Sequence, residues 1–371
     1  MRIREILFRD FRSFRGEKRI SFCNPLTDVP LELVTLSGTS GTGKTTILNT
    51  IFEIGDWLVA VNNWQSHQHP TLSDASEHGF VRALIDVSDN LPSQSDMVIE
   101  LLVGRQDLAG NLLENPNPNR VTYLTRPDST EANWQFGGPI ANQLQQLGNN
   151  IRAGKQEPTG GALYFPSNRR LLPIPAGAVT PTEDKFAWAV RLDPSQAWTG
   201  SLEHFWVGQN YLDLEAQQRG EQSNNLPTFI STVQNALGDN RKITIHRGRV
   251  QVQTPWANES TNGTGNVLID QLPSGEQQML FVLGELARYR RDHAIILVDE
   301  PELSLHPTLQ RLMLSSLRKF AQEMQCQLIL ATHSLEIVRG VRQTNRLMLD
   351  RLADKNMLTT GDEDEQLPDS G

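Results

Sequence analysis

Gly38-Thr39-Ser40-Gly41-Thr42-Gly43-Lys44-Thr45 satisfies the phosphate-binding pattern G-x-x-x-x-G-K-[ST] at every fixed position. Its flanks are those such a loop requires. Leu31 to Leu36 is a largely apolar run that reads as a strand. Thr45 to Val61 reads as a helix, with Ile47, Leu48, Ile51, Ile54 and Leu58 at helical spacing. The glycines free the backbone to wrap a phosphate, and successive N–H groups plus the helix N-terminus supply positive potential. In this reading Lys44 reaches the β- and γ-phosphates, Thr46 joins the nucleotide-binding set, and Thr45 offers its hydroxyl to Mg²⁺. A chance Gly-rich turn is the alternative, and the flanks argue against it.

With 371 residues the chain holds one large domain or two ordinary ones, and it buries a core without staples. A net charge of -9 excludes a polyanion binder of the whole-surface kind, though not a local basic face. Cys23 and Cys326 are far apart and match no metal spacing, which points to a reducing compartment. Met1-Arg2-Ile3-Arg4 opens no signal-peptide core, and no apolar run reaches the ~18 residues of a membrane span. The expected location is the cytoplasm, away from membranes.

Residues 2–22 read as strand, turn and strand, rich in arginine around Phe8-Arg9-Asp10-Phe11-Arg12-Ser13-Phe14. Asn62 to Glu77 is polar and reads as a solvated loop, so His67 and His69 are not taken as metal ligands. Phe80 to Val87, Met97 to Val103 and Arg120 to Arg126 read as strands of an antiparallel β-subdomain. Ile140 to Ile151 reads as a helix, and Ala162 to Pro166 as another core strand. The polar and basic Ser167-Asn168-Arg169-Arg170 at its end is either a ligand contact or the opening of a loop. Leu202 to Gln218 and Pro227 to Leu237 read as helices whose Trp206, Tyr211, Phe229 and Val233 belong to the core. Arg241 to Gln253 is a basic hairpin, an exposed turn or a contact for DNA backbone. The acidic end, Gly361 to Gly371, reads as disordered.

Residues 271–334 hold a second group of motifs. Ile295-Ile296-Leu297-Val298-Asp299-Glu300 is an apolar run that delivers two carboxylates at its tip. Beside a phosphate loop, Asp299 becomes the Mg²⁺-side carboxylate, and Glu300 is placed to polarise an attacking water. Ser274-Gly275-Glu276-Gln277 opens a predicted helix, where a hydroxyl, a glycine N–H and a helix N-terminus suit an anion. A simple helix cap is the alternative. His333 follows the strand Gln327 to Ala331, within reach of a γ-phosphate or else a locally satisfied polar residue.

Together these residues resemble an ABC-type ATPase head of the RecF/SMC/OLD-like group, compact AAA-family ATPases of the kind found in bacterial anti-phage systems. The resemblance rests on the loop at 38–45, a signature at Ser274-Gly275-Glu276-Gln277, the Asp299-Glu300 strand and a switch histidine, His333. Phe11-Arg12-Ser13-Phe14 is similar to the opening of such heads, with Asp10 for their asparagine, and Glu300 to Pro307 resembles their D-loop segment. Pro273 and Glu276 replace two residues of the usual Leu-Ser-Gly-Gly-Gln signature. The middle of the chain is unmatched.

The resemblance implies an α/β fold: an ABC-ATPase-like core with a mixed sheet and flanking helices, an inserted antiparallel β-subdomain, and a helical lobe carrying the signature. Along the chain, residues 1–61 read as the N-terminal part of the nucleotide-binding core, 62–160 as the inserted β-subdomain and linker, and 161–270 as a core strand, helical lobe and basic hairpin. Residues 271–353 complete the core, and 354–371 read as an acidic disordered tail. The resemblance implies ATP and Mg²⁺ as cofactors, and Lys44, Glu300 and His333 as catalytic residues. It sets Arg12 and Ser13 against the nucleotide. It also implies a head-to-tail dimer or higher homo-oligomer, in which Ser274 and Gly275 meet the γ-phosphate of the other copy. The expected function is an ATP-hydrolysing switch controlling a separate nuclease or toxin subunit. A DNA-repair clamp touching DNA through local basic patches, and a slow-turnover scaffold, are the alternatives.

Overall fold

The computed structural model describes residues 1–58, 69–91, 97–114, 117–126, 132–136, 139–172, 187–193, 201–237, 241–254, 265–353 and 355–360. The chain begins as a hairpin of β1 (Arg2–Phe11) and β2 (Phe14–Ser21), then enters β3 (Leu33–Ser37) and α1 (Lys44–Trp57). α2 (Pro70–His78) precedes β4 (Phe80–Asp86), β5 (Val98–Arg105), α3 (Gln106–Ala109), β6 (Arg120–Thr125), β7 (Ala132–Phe136) and α4 (Pro139–Arg152). Then come β8 (Ala162–Phe165), β9 (Ala189–Arg191), α5 (Leu202–Gln218) and α6 (Asn225–Leu237). A small sheet of β10 (Lys242–His246), β11 (Arg249–Gln253) and β12 (Asn266–Leu268) leads to α7 (Ser274–Arg288). β13 (Ile295–Asp299), α8 (Pro307–Glu323), β14 (Gln327–Thr332), α9 (Leu335–Arg339), β15 (Arg346–Met348) and β16 (Met357–Leu358) complete the order.

The strands with continuous apolar runs form a parallel sheet in the order β15-β3-β14-β13-β8-β9. Alternate residues face opposite ways, so each run must be covered twice. Ile295, Leu297, Ile329 and Ala331 join a cluster with α1 and β1. Ile296, Val298, Leu328 and Leu330 join another with α5, α7 and α8. The stripe expected on α1, Ile47, Leu48, Ile51, Ile54 and Leu58, lies entirely in the first cluster. Crucially, the phosphate loop, Asp299-Glu300, His333 and Ser167 to Arg170 follow β3, β13, β14 and β8, four adjacent strands of one parallel sheet. They therefore share its carboxyl edge, where such sheets bind ligands.

The second sheet runs β16-β2-β1-β4-β5-β6-β7. The strands expected to form an inserted antiparallel subdomain thus share a sheet with the first hairpin. One of their pairs, β5–β6, is parallel, its connection made by α3 and the turn after it. Gln327 ties the two sheets: its side chain accepts from Ile3 N–H at 2.7 Å and donates to the carbonyls of Ile3 and Leu31. The mixed α/β class is as expected, and no helix among the described residues is long and apolar enough to cross a membrane.

The polar stretch before β4 departs from its reading. Residues 70–78 form α2, and His69 is buried with Nε2 3.0 Å from Asp56. Glu53 accepts N–H bonds from Thr71 and Leu72 at 3.0 and 2.8 Å, capping α2 from α1. These partners lie on another helix, so local pattern did not announce them. His67 and the residues from Gly361 lie outside the described residues, but the disordered tail expected from 354 starts too early: Met357–Leu358 form β16, parallel to β2, with Leu358 buried in the first cluster. Tyr211 also departs: it is 48% exposed, whereas Trp206 on the same helix is fully buried. The basic stretches are largely neutralised. Arg4, Arg9, Arg19, Arg241 and Arg249 face Asp28, Glu17, Glu5, Glu276 and Glu203.

A ladder of alternating charge crosses this sheet: Glu5 to Arg82 at 2.9 Å, Arg82 to Glu100 at 2.6 Å and Glu100 to Arg120 at 2.8 Å. Burial alone would raise the Glu100 carboxyl, but Arg82 and Arg120 hold it below its ordinary value. Glu100→Gln is expected to cost about 3 kcal/mol at neutral pH, since two half-buried guanidinium groups lose their counter-charge. The folded pKa lies below the unfolded one. The stabilisation is therefore complete above about pH 4.5 and is lost as pH falls through the folded value. Denaturant melts of wild type and variant should converge at acid pH. A gap that ignores pH would contradict the ladder.

Candidate nucleotide-binding and hydrolysis site

The loop between β3 and α1 takes the shape its glycines permit. Gly41 and Gly43 have φ of 86° and 96°, left-handed backbone that a side chain would strain. Gly43 is also crowded: a Cβ there would sit 2.4 Å from Phe14 Cζ and 2.7 Å from Ser13 Oγ. The β1–β2 turn therefore lies directly on the loop, steadied by Phe8 and Phe14, whose ring centroids are 4.3 Å apart.

A cleft of about 420 Å³ opens over the loop. Ser40, Gly41, Gly43, Lys44, Thr45 and Thr46 border it from the loop and α1. Arg12 and Ser13 border it from the β1–β2 turn, and Asp299, Glu300 and His333 from the ends of β13 and β14. Gly38, Thr39 and Thr42 form the loop's base, where Thr42 Oγ1 donates to Thr39 O at 2.9 Å. Lys44 Nζ donates to Gly38 O and Thr39 O at 2.7 and 2.9 Å. Burial pushes this ammonium below its usual value, against the pull of Asp350 and Asp299.

Thr45 Oγ1 donates to Asp299 Oδ2 at 2.9 Å, joining loop to strand tip. Burial raises the Asp299 carboxyl above its ordinary range, with the Thr45 bond opposing. Glu300 follows with φ of 49°, a conformation a non-glycine residue keeps only where its surroundings impose it. Arg169 supplies part of that constraint. Its buried guanidinium donates to the carbonyls of Pro166, Asp299 and Glu300 at 3.0, 2.5 and 2.8 Å, and burial lowers its pKa to about 10. Neither reading of Ser167 to Arg170 describes Arg169: it is buried, does not border the cleft, and braces the carboxylates from beneath.

Arg12 Nε donates to Asp74 Oδ2 on α2 at 2.7 Å while its guanidinium lies over the Phe11 ring. Asp350 was not foreseen: it accepts from Thr39 N–H at 3.0 Å and Thr39 Oγ1 at 2.6 Å. Burial pushes its carboxyl up, but the Thr39 bonds outweigh this and hold it low. Glu302, which in sequence is only one residue of the segment Glu300 to Pro307, accepts the His333 N–H at 2.7 Å. The signal available in sequence for Asp350 and Arg169 was only that charged residues follow core strands.

The signature stretch does not border this cleft. Ser274 is exposed at the first turn of α7, whose N-cap is Pro273 with no side-chain cap. Ser274 is thus not the cap that the alternative reading required. Gly275 is buried, and a Cβ there would come within 3.0 Å of Ser304 O. Glu276 pairs with Arg241 at 2.6 Å, and Gln277 Nε2 donates to the carbonyls of Asp270 and Leu272.

No curated protein matches the chain. An Smc head bound to the C-winged helix domain of ScpA is 12% identical, covers 94% of each chain and superposes with a TM-score of 0.52. The Smc head with an extended coiled coil from Pyrococcus furiosus is 10% identical over 94% of this chain and 93% of that one, at a TM-score of 0.46. An SMC head from Thermotoga maritima is 14% identical over 94% of each chain, at 0.42. The first of these shows a shared fold. Residues 33–339, spanning loop, signature, carboxylate strand and His333, match a family model directly. The chain belongs to the family described as "AAA domain, putative AbiEii toxin, Type IV TA system".

Proposed function

We propose that the protein binds Mg·ATP in this cleft and hydrolyses it, and that two copies, head to tail, complete each site. The observation that carries the reading is the 2.9 Å contact between Thr45 Oγ1 and Asp299, beside Lys44 and with Glu300 and His333 on the same rim. A hydroxyl and a carboxylate are the hard oxygen donors that Mg²⁺ takes. When bound, the ion would neutralise charge on the β- and γ-phosphate oxygens. Lys44 leaves the carbonyls of Gly38 and Thr39 for the phosphates, and the N–H groups from Gly41 to Thr46 surround them. Glu300 accepts a proton from the attacking water, His333 hydrogen-bonds the γ-phosphate, and Arg12 and Ser13 line the nucleotide's flank.

The dimer is supported by the exposed, uncapped N-terminus of α7 at Ser274, an anion-binding feature that does not border its own chain's cleft. ATP held between two such surfaces links the copies, and hydrolysis releases them. That cycle suits a switch controlling a separate nuclease or toxin subunit. The family description favours a second reading, in which this chain is itself the toxic component of a two-gene system. Growth arrest on expressing the chain alone, relieved by Lys44→Ala, would select it.

Ser274→Arg should bind ATP but fail to hydrolyse it, because a bulky cation takes the place of the trans phosphate contact. Lys44→Ala should fail for the opposite reason. Mixed, they should recover about a quarter of wild-type activity, since about half the dimers are mixed and each has one intact site. Normal hydrolysis by Ser274→Arg alone would end the composite-site reading.

A further inference from the structure

The turn after β13 is wound tightly for a stretch without glycine. Glu300 and Ser304 are both left-handed, with φ of 49° and 61°. Leu303 N–H reaches Glu300 O at 3.1 Å, and Leu305 N–H reaches Glu302 O at 2.9 Å. Glu302 sends its carboxylate out of this turn to the end of β14. Its Oε1 accepts the N–H groups of His333 and Ser334 at 2.7 and 3.1 Å, and its Oε2 accepts from Thr332 Oγ1 at 2.8 Å. Gln310 makes a second strut: it donates to Leu305 O at 2.9 Å and accepts from Ser334 Oγ at 2.5 Å.

We infer that Glu302 is the positioning residue for His333, fixing the main chain of residues 332–334 so that the imidazole stays on the rim of the cleft. The inference rests on the hydrolytic reading above and gives a role to the second carboxylate of Glu300-Pro301-Glu302. Two physical points carry it. The His333 ring is exposed, so its position follows from its backbone, and that backbone is held by charge-assisted bonds. Both Glu302 oxygens are already engaged by three donors, which leaves the work of a general base to Glu300, whose residue borders the cleft.

The test uses the full chain with Glu302→Ala, Glu302→Gln, His333→Ala and the Glu302→Ala/His333→Ala double variant. Glu302→Ala should slow single-turnover hydrolysis of Mg·ATP about 10- to 100-fold, the loss expected when a reacting group is displaced by about 1 Å. Affinity for a fluorescent ATP analogue should stay within about twofold. Adding His333→Ala should cost less than about threefold more, because coupled residues do not add. Glu302→Gln keeps one acceptor but turns a donor toward Thr332, so it should fall between. In nucleotide-free protein with ¹³C-labelled histidine, the His333 resonance, assigned by its loss in His333→Ala, should move in Glu302→Gln while the other histidines stay. Multiplying effects, undiminished hydrolysis or an unmoved resonance would overturn the inference. If wild type shows no Lys44-dependent hydrolysis, the hydrolytic reading fails, and the resonance alone decides the positioning. If Glu302→Ala does not fold, Glu302→Gln carries both measurements.

Discussion

Lys44→Ala should abolish measurable Mg·ATP binding. The ammonium rests on the carbonyls of Gly38 and Thr39, and burial already disfavours its charge there. An incoming triphosphate offers it anionic oxygens instead, which is a strong incentive to move. Two charge-assisted bonds at about 1.5–3 kcal/mol each correspond to an affinity loss on the order of 100-fold or more. Alanine keeps the helix and leaves Thr45 and Asp299 free to meet, so the loss should be of ligand and not of fold. Titration with a fluorescent ATP analogue, paired with a thermal melt, checks both halves. Wild-type affinity in the variant would dissolve the phosphate-loop assignment.

Glu300→Gln should separate binding from turnover. The amide nearly matches the carboxylate in shape, and Arg169 still holds the Asp299 and Glu300 carbonyls, in the peptide links on either side of the Glu300 Cα. The amide cannot accept a proton from water, and loss of a general base costs ~10²–10⁴-fold in rate. Nucleotide affinity should remain. With the γ-phosphate persisting, the variant should elute as an ATP-dependent dimer on a sizing column, and wild type should do so only transiently. Unchanged turnover would move the base elsewhere, with His333 the next candidate.

The parts of this site that were legible in sequence are those whose chemistry sits in contiguous residues. A phosphate loop must place its glycines and lysine within one turn, and Asp299-Glu300 must end an apolar run. Periodicity then placed both on the right elements, and the parallel order of β3, β14, β13 and β8 brought them together. What stayed hidden acts across the fold. Asp350 clamps Thr39, Asp74 holds Arg12, and Arg169 braces Asp299 and Glu300. Each is a single charged residue whose meaning comes from a partner distant in sequence. The same holds for His69 and α2, where Glu53 and Asp56 supply the bonds that turn a polar stretch into structure. Tyr211 failed for the converse reason: helical spacing marks a face without saying whether anything covers it.

The central claim is that this cleft hydrolyses ATP with Lys44 and Glu300. Release of inorganic phosphate from Mg·ATP by the purified chain, across a range of protein concentrations, tests it most directly. The account predicts release that rises more steeply than protein concentration, as a composite site requires, and that disappears in both Lys44→Ala and Glu300→Gln. Release that persists in both variants, or none from wild type at any concentration, would contradict it.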